Sequence, residues 1–107
     1  MSAIIVYMTA KDKEEAKSIA KALLAKKLIA CANIFDGVTS IYEWNGEVCE
    51  DGEAAAIFKT KESLFQKLKE EVLKLHSYEN PALIAIKADN GSEQFLSWIE
   101  RQTLHED

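Results

Sequence analysis

Residues 30–61 constrain the chain most, because they read as one long antiparallel hairpin closed by Trp44-Asn45-Gly46-Glu47. Asn-Gly between two strand-like runs is the strongest short hairpin signal. Both central residues of a type I′ turn need φ > 0, which Asn tolerates and Gly adopts without a Cβ clash. An arm of about 12 residues extends ~40 Å at ~3.3 Å per residue, whereas a domain of this length has a radius of gyration of only ~13 Å. The tip is therefore expected to overhang its own core. It carries Ile41, Tyr42, Trp44 and Val48, large apolar groups that another copy of the chain would cover. The competing reading has Gly37 and Gly52 bulge or bend the arms so that the tip folds back on its own sheet.

The hairpin register also bears on the two cysteines. If Trp44 faces Glu47, then Cys49 faces Tyr42 and Cys31 faces Thr60, which is ~37 Å of strand from Cys49. A bulge would change this by one step, so an intrachain disulfide is ruled out under this hairpin, and reduced thiols fit the cytosol. At 107 residues the chain reads as a single domain, 1–107, large enough to bury a core without metal or disulfide staples. With 13 Lys+Arg against 18 Asp+Glu, a net charge of −5 and no basic block, neither nucleic acid nor an anionic membrane surface is an expected partner. The N-terminus is apolar for a few residues and then turns charged, which is expected to make neither a signal peptide nor a membrane span. A cytoplasmic protein is expected.

Around the hairpin the apolar periodicity alternates. Ala3 to Met8 is a short continuous apolar run, read as a central buried strand. Thr9 or Asp12 then caps a helix, with Asp12 and Glu15 resembling a capping box. That helix carries Ala16, Ile19, Ala20, Leu23 and Leu24 on one stripe. Leu64, Phe65, Leu68, Val72 and Leu75 repeat the helical period as far as His76, and Pro81 breaks it. Ala82 to Ala88 is the next strand, and Asn90 or Ser92 caps a last helix with Phe95, Leu96, Trp98 and Ile99. Strand, helix, hairpin, helix, strand, helix predicts an α+β, ferredoxin-like split βαβ sandwich with a long hairpin and an extra C-terminal helix. Helices on one face leave the other face of the four-stranded sheet in need of cover, a second argument for self-association. Three such sheets around a common axis would bury it.

No zinc-ligand spacing, phosphate loop, nucleophile elbow or dinucleotide fingerprint is present, so the sequence reads as a non-enzyme. The loop His76-Ser77-Tyr78-Glu79 sets an imidazole, a phenol and a carboxylate within four residues, able to coordinate a metal or orient a small polar ligand. Alternatively, His76 simply complements a helix C-terminus, with Tyr78 packed and Glu79 in solvent. Cys31 reads either as a small buried hydrophobe or as a ligand. Cys49-Glu50-Asp51, with Glu47 and Glu53, reads as a solvated charged edge that could attract cations.

At Cys31-Ala32-Asn33-Ile34, Thr39-Ser40-Ile41-Tyr42-Glu43-Trp44-Asn45-Gly46-Glu47, Lys59-Thr60 and His76-Ser77-Tyr78-Glu79-Asn80-Pro81, the chain resembles the CutA divalent-cation tolerance family. The likeness runs from about Ile4 to Thr103. It implies a homotrimer of ferredoxin-like subunits, related in architecture to PII signalling proteins, with a role in tolerance of copper and other heavy metals. It also implies an inter-subunit cleft to which Cys31, Tyr42, Trp44, Lys59, His76, Tyr78 and Glu79 contribute. There His76, with Glu79 or Cys31, would hold copper or another divalent cation. A PII-like alternative fills the cleft with a small polar ligand, Lys59 facing an anionic group and Trp44 or Tyr42 forming an apolar wall, while the hairpin tips bind a protein partner. Two departures stand out. Ser77 occupies a position that is usually Pro, which is expected to loosen the turn. Met8 and Leu75 stand where members with proposed copper ligation carry Cys and a second His; Met8 offers a thioether and Leu75 no ligand.

Overall fold

The two periodicities produce the expected elements in a computed structural model that describes residues 1–105. They are β1 (Ala3–Ala10), α1 (Lys13–Ala25), β2 (Cys31–Trp44), β3 (Glu47–Lys61), a 3₁₀ turn (Glu62–Leu64) running into α2 (Phe65–Leu75), β4 (Leu83–Lys87) and α3 (Glu93–Gln102). The strands form one sheet in the order β2-β3-β1-β4 with every neighbouring pair antiparallel, the ferredoxin-like α+β arrangement expected from the element order. Alternate residues of β1 and β3, among them Val6, Met8, Ala56 and Phe58, point to one face. There they bury Ile19 and Leu23 of α1 and Leu68 and Val72 of α2. The third helix does not join them. Its Ile99 packs with Ala3 and Ala30, and because Ala3 has the opposite parity to Val6 and Met8, α3 covers one end of the other face. The remainder of that face stays open, with Ile84 and Ile86 of β4 at 59% and 56% exposure.

Helix α1 is closed at both ends by identifiable contacts. Asp12, rather than Thr9, is the N-cap, accepting from the Glu15 N–H at 2.8 Å, and Glu15 reaches back to the Lys11 N–H at 3.1 Å. At the other end the Leu28 N–H donates to Leu23 O and the Lys27 N–H to Leu24 O, each at 3.0 Å. This is a Schellman motif whose left-handed residue, Lys27 at φ 59°, is not the usual glycine. Ser92 caps α3, accepting from the Phe95 N–H at 3.3 Å.

The hairpin closes at Asn45 (φ 50°) and Gly46 (φ 78°), the positive pair that the turn type requires. From Trp44↔Glu47 its ladder holds register to Val38↔Glu53, with Gly52 paired regularly to Thr39. Asp36 and Gly37 then stand opposite Ala54 alone, and the register steps by one. Gly37 adopts φ 70° there, as the bulge geometry demands. Cys31 consequently pairs with Lys59 and not with Thr60; the expected partner was one residue off because the bulge lay inside the arm. Cys31 and Cys49 are free thiols. The bulge falls where β1 ends, at Ala10↔Ala54. Beyond it seven pairs, Val38↔Glu53 to Trp44↔Glu47, have no third strand, a projection of ~23 Å. The molecule measures 46 × 27 × 21 Å. Gly37 bends the arm but does not return the tip to the sheet: Ile41, Trp44 and Val48 are 66%, 66% and 75% exposed.

Candidate functional site

Where the hairpin leaves the sheet, the α2–β4 loop comes up beside it. Helix α2 ends at His76, whose backbone N–H closes the last turn on Val72 O at 2.8 Å. The imidazole then turns inward, 8% exposed. Its Nε2 lies 2.8 Å from Thr9 O, and its Nδ1 receives the Tyr78 N–H at 3.0 Å. A carbonyl can only accept, so Nε2 carries the proton and both ring nitrogens are engaged. The Tyr78 ring packs on the imidazole with centroids 4.8 Å apart. Its hydroxyl donates to Glu53 Oε1 at 2.7 Å.

Glu53 is where these contacts meet the hairpin. Its other oxygen accepts from the Ser40 hydroxyl, and one step outward the Tyr42 hydroxyl donates to Asp51. Burial holds the Tyr78 phenol well above the usual tyrosine range, helped by the bond to Glu53 and by the charges of Glu53, Glu15 and Asp51. Tyr42 is pushed up to about 12, first by its bond to Asp51, then by desolvation and the charges around it. Both phenols therefore stay protonated and donate into carboxylates at neutral pH. The result is an oxygen-rich polar cluster at the hairpin root whose two carboxylates, Glu53 and Asp51, already accept hydrogen bonds.

The fold sorts the residues expected from the sequence into separate groups. Tyr42 and Tyr78 both donate to carboxylates of β3, Asp51 and Glu53. Cys31 and Lys59 are cross-strand partners on the open face, where the Lys59 ammonium donates to Asn33 Oδ1. His76 meets β1 at Thr9, four residues along that strand from Ile5, the neighbour of Lys59, so ~13 Å of strand separates Cys31 from His76 within one copy. Trp44 is out on the tip, and Glu79 is exposed. Among the described residues no three His, Cys, Asp or Glu side chains gather to hold a metal ion. Within a single copy, then, His76, Glu79 and Cys31 do not form a ligand set, and His76 offers no free lone pair.

Four partners were not anticipated. Ser40 and Asp51 could have been read from the constant hairpin register, which sets Ser40 diagonal to Glu53 and Tyr42 diagonal to Asp51. Glu53 meets Tyr78, and Glu15 meets Ser77, only through tertiary packing. Ser77, at the position expected to loosen the turn, donates its N–H to Glu15 Oε2 at 2.7 Å, a bond that a proline at this position could not make.

The fold defines a small ferredoxin-like α+β protein with a projecting hairpin and a hydrogen-bonded polar cluster at the hairpin root. The sequence profile of the CutA1 divalent ion tolerance proteins matches residues 4–102. The chain is 44% identical over 100 residues to the divalent-cation tolerance protein CutA of Pyrococcus horikoshii, covering 94% of this chain and 97% of that one. To the chloroplastic protein CutA of Arabidopsis thaliana it is 40% identical over 100 residues, covering 94% of this chain and 55% of the relative. It spans about half the length of the plant and animal relatives it matches. The crystal structure of CutA1 from Oryza sativa superposes with a TM-score of 0.96 at 38% identity, covering 99% of this chain and 97% of the other. The chain belongs to the CutA1 family, which is described by divalent-ion tolerance and not by a reaction.

Proposed function

We propose that the protein serves divalent-cation tolerance as a cytoplasmic homotrimer, with copper foremost among its ions, and that its clefts lie between copies. The observation that carries this reading is the overhang: seven strand pairs with no third strand, bearing Ile41, Trp44 and Val48, beside an open sheet face bearing Phe35, Ile84 and Ile86. Each of these six side chains is at least half exposed, so covering it contributes roughly 1–2 kcal/mol. The total, on the order of 10 kcal/mol per copy, is comparable with the ~4–15 kcal/mol cost of association. Self-association is thus supported on energetic grounds as well as by the family. An ion site using Cys31 and His76 would take them from different copies, since ~13 Å of strand separates them in one, and His76 Nδ1 would have to release the Tyr78 N–H. Trp44→Glu is expected to lower the sedimentation mass from trimer to monomer, and an unchanged mass would refute the tip's part in assembly. Copper titrated into wild type and His76→Ala should bind more weakly to the variant; equal affinities would remove His76 from the ligand set.

The engagement of both His76 nitrogens favours a second reading. Here the cleft of a PII-like module takes a small polar ligand against Tyr42, Trp44, Lys59 and Tyr78, or the tips take a protein partner. Thermal shifts at fixed protein concentration separate the two readings, because a ligand at 100 times its Kd stabilises by ~2.7 kcal/mol. Shifts with metal ions alone would dismiss the second.

A further inference from the structure

The His76–Tyr78 loop is held between two carboxylates on different elements, and the polar cluster at the hairpin root accounts for only one of them, Glu53. The other, Glu15, divides its oxygens. Oε1 accepts the Lys11 N–H at 3.1 Å and closes the cap of its own helix, while Oε2 accepts the Ser77 N–H at 2.7 Å, from a residue 62 positions away. The very next N–H, that of Tyr78, is taken by His76 Nδ1 at 3.0 Å. Two consecutive peptide groups are thereby fixed before the Tyr78 side chain departs toward Glu53. We infer that Glu15 is a positioning residue: the N-terminal cap of α1 aims Tyr78 at the hairpin root through Ser77.

The backbone around the loop adds a specific consequence. His76 has φ −76° and ψ 139°, the region that a residue preceding proline must occupy. From that side a proline at 77 is admissible. Its ring would fix the turn by restricting the unfolded chain, while its missing N–H would abolish the bond to Glu15. The Glu15–Ser77 bond and a prolyl ring are therefore alternative means of stiffening one turn, and this chain uses the bond. The inference goes beyond the cleft reading and requires neither a metal ion nor a second ligand.

The test compares four full-length proteins at neutral pH: wild type, Glu15→Ala, Ser77→Pro and the double variant. The readouts are hydrogen exchange of the Tyr78 amide and the ¹⁵N shifts of the His76 ring, which report its tautomer. Losing a bond to a charged acceptor should make the Tyr78 amide of Glu15→Ala exchange roughly tenfold faster, with the His76 shifts moving toward those of a free imidazole. Ser77→Pro alone should stay near wild type. Adding it to Glu15→Ala should restore the Tyr78 amide to within roughly twofold of wild type. The Lys11 amide should remain fast in both Glu15→Ala proteins, which separates the helix cap from the positioning role. An unchanged Tyr78 amide in Glu15→Ala, or an equal acceleration in the double variant, would overturn the inference. If Glu15→Ala does not fold, Glu15→Leu serves, since leucine is a good helix former of similar length with no acceptor for either N–H group; the same Tyr78 amide decides.

Discussion

Removing one oxygen, by Tyr78→Phe, tests the polar cluster at the hairpin root most directly. The hydroxyl donates to Glu53 Oε1 at 2.7 Å in a half-buried setting, and its loss leaves Glu53 with the Ser40 hydroxyl. A hydrogen bond to a charged group contributes ~1.5–3 kcal/mol; partial solvent access at the hairpin root places this one near the lower end, about 1.5 kcal/mol. In a domain of this size that lowers Tm by about 5–10 °C, measured at fixed protein concentration so that association does not move the baseline. A double-mutant cycle with Glu53→Gln isolates the pair: each single variant should forfeit most of what the double variant forfeits. If the two losses add to within about 0.5 kcal/mol, the bond does not couple the loop to the hairpin and the reasoning fails. The same pair sets an alkaline signature. The ordinary tyrosine pKa is 10.0 and burial with Glu53 raises it in the folded chain. The unfolded chain therefore releases this proton first, and the associated stability is full below pH 10 and lost as pH climbs through the raised value. Tyr42 acts with the same sign between pH 10.0 and about 12. Wild type should lose stability more steeply above pH 10 than Tyr78→Phe does.

Two positive-φ positions predict opposite signs. Lys27→Gly should stabilise by about 1 kcal/mol by relieving a left-handed residue at φ 59°, whereas Gly37→Ala, at φ 70° with open space around its Cβ position, should destabilise by about 1 kcal/mol through backbone strain alone; urea midpoints decide both. On the acid side, burial pulls the Glu15 pKa up, but the bonds from Ser77 and Lys11 and the nearby His76 outweigh it, so the net value is lowered. The stability it contributes is present above the ordinary carboxylate pKa and disappears as pH falls through the lowered value, so wild type should lose more stability below pH 4.5 than Glu15→Ala, and equal acid slopes would refute this.

The fold was legible where one local rule decided each step. Asn45-Gly46 specified the turn and hence the pairing of Tyr42 with Cys49; Asp12 and Glu15 marked the start of α1; Pro81 marked the break before β4. The register failed at Cys31 because Gly37 and Gly52 looked alike as candidate bulges, and only the end of β1 at Ala10 distinguishes them: the bulge sits where the third strand stops. The end of α1 was hidden for a different reason. A lysine in the left-handed position carries no turn signal, and its conformation is enforced by Leu28, buried at 4%, on the far side. At the hairpin root, residue types were readable but partners were not. His76, Tyr78 and Cys31 each suggested ligand chemistry, yet the bonds that define His76 come from Thr9 and Tyr78, and those that define Tyr78 come from Glu53, across separations that periodicity does not report.

A two-stranded ribbon is marginal by itself in water, and this one projects by seven pairs from a bulge that fixes its exit but not its stiffness. What restrains it at the root are polar side chains: Tyr78 on Glu53, and Ser40 on the same carboxylate. The loop supplying Tyr78 is itself anchored on α1 through Glu15 and on β1 through His76 and Thr9. The root of the hairpin is thus tied to the core by a relay of hydrogen bonds running from the first helix to the base of the overhang, to which the apolar tip contributes nothing. A ligand or ion that competed for Glu53 or for His76 Nδ1 would act on the hairpin before it acted on the core. Substitutions along this relay should alter the exchange of amides on Val38–Trp44 more than that of amides on β1, while a core change such as Phe58→Ala should accelerate both. If the β1 amides responded first to Tyr78→Phe, the hairpin and the core would be one cooperative unit and the relay would have no separate role.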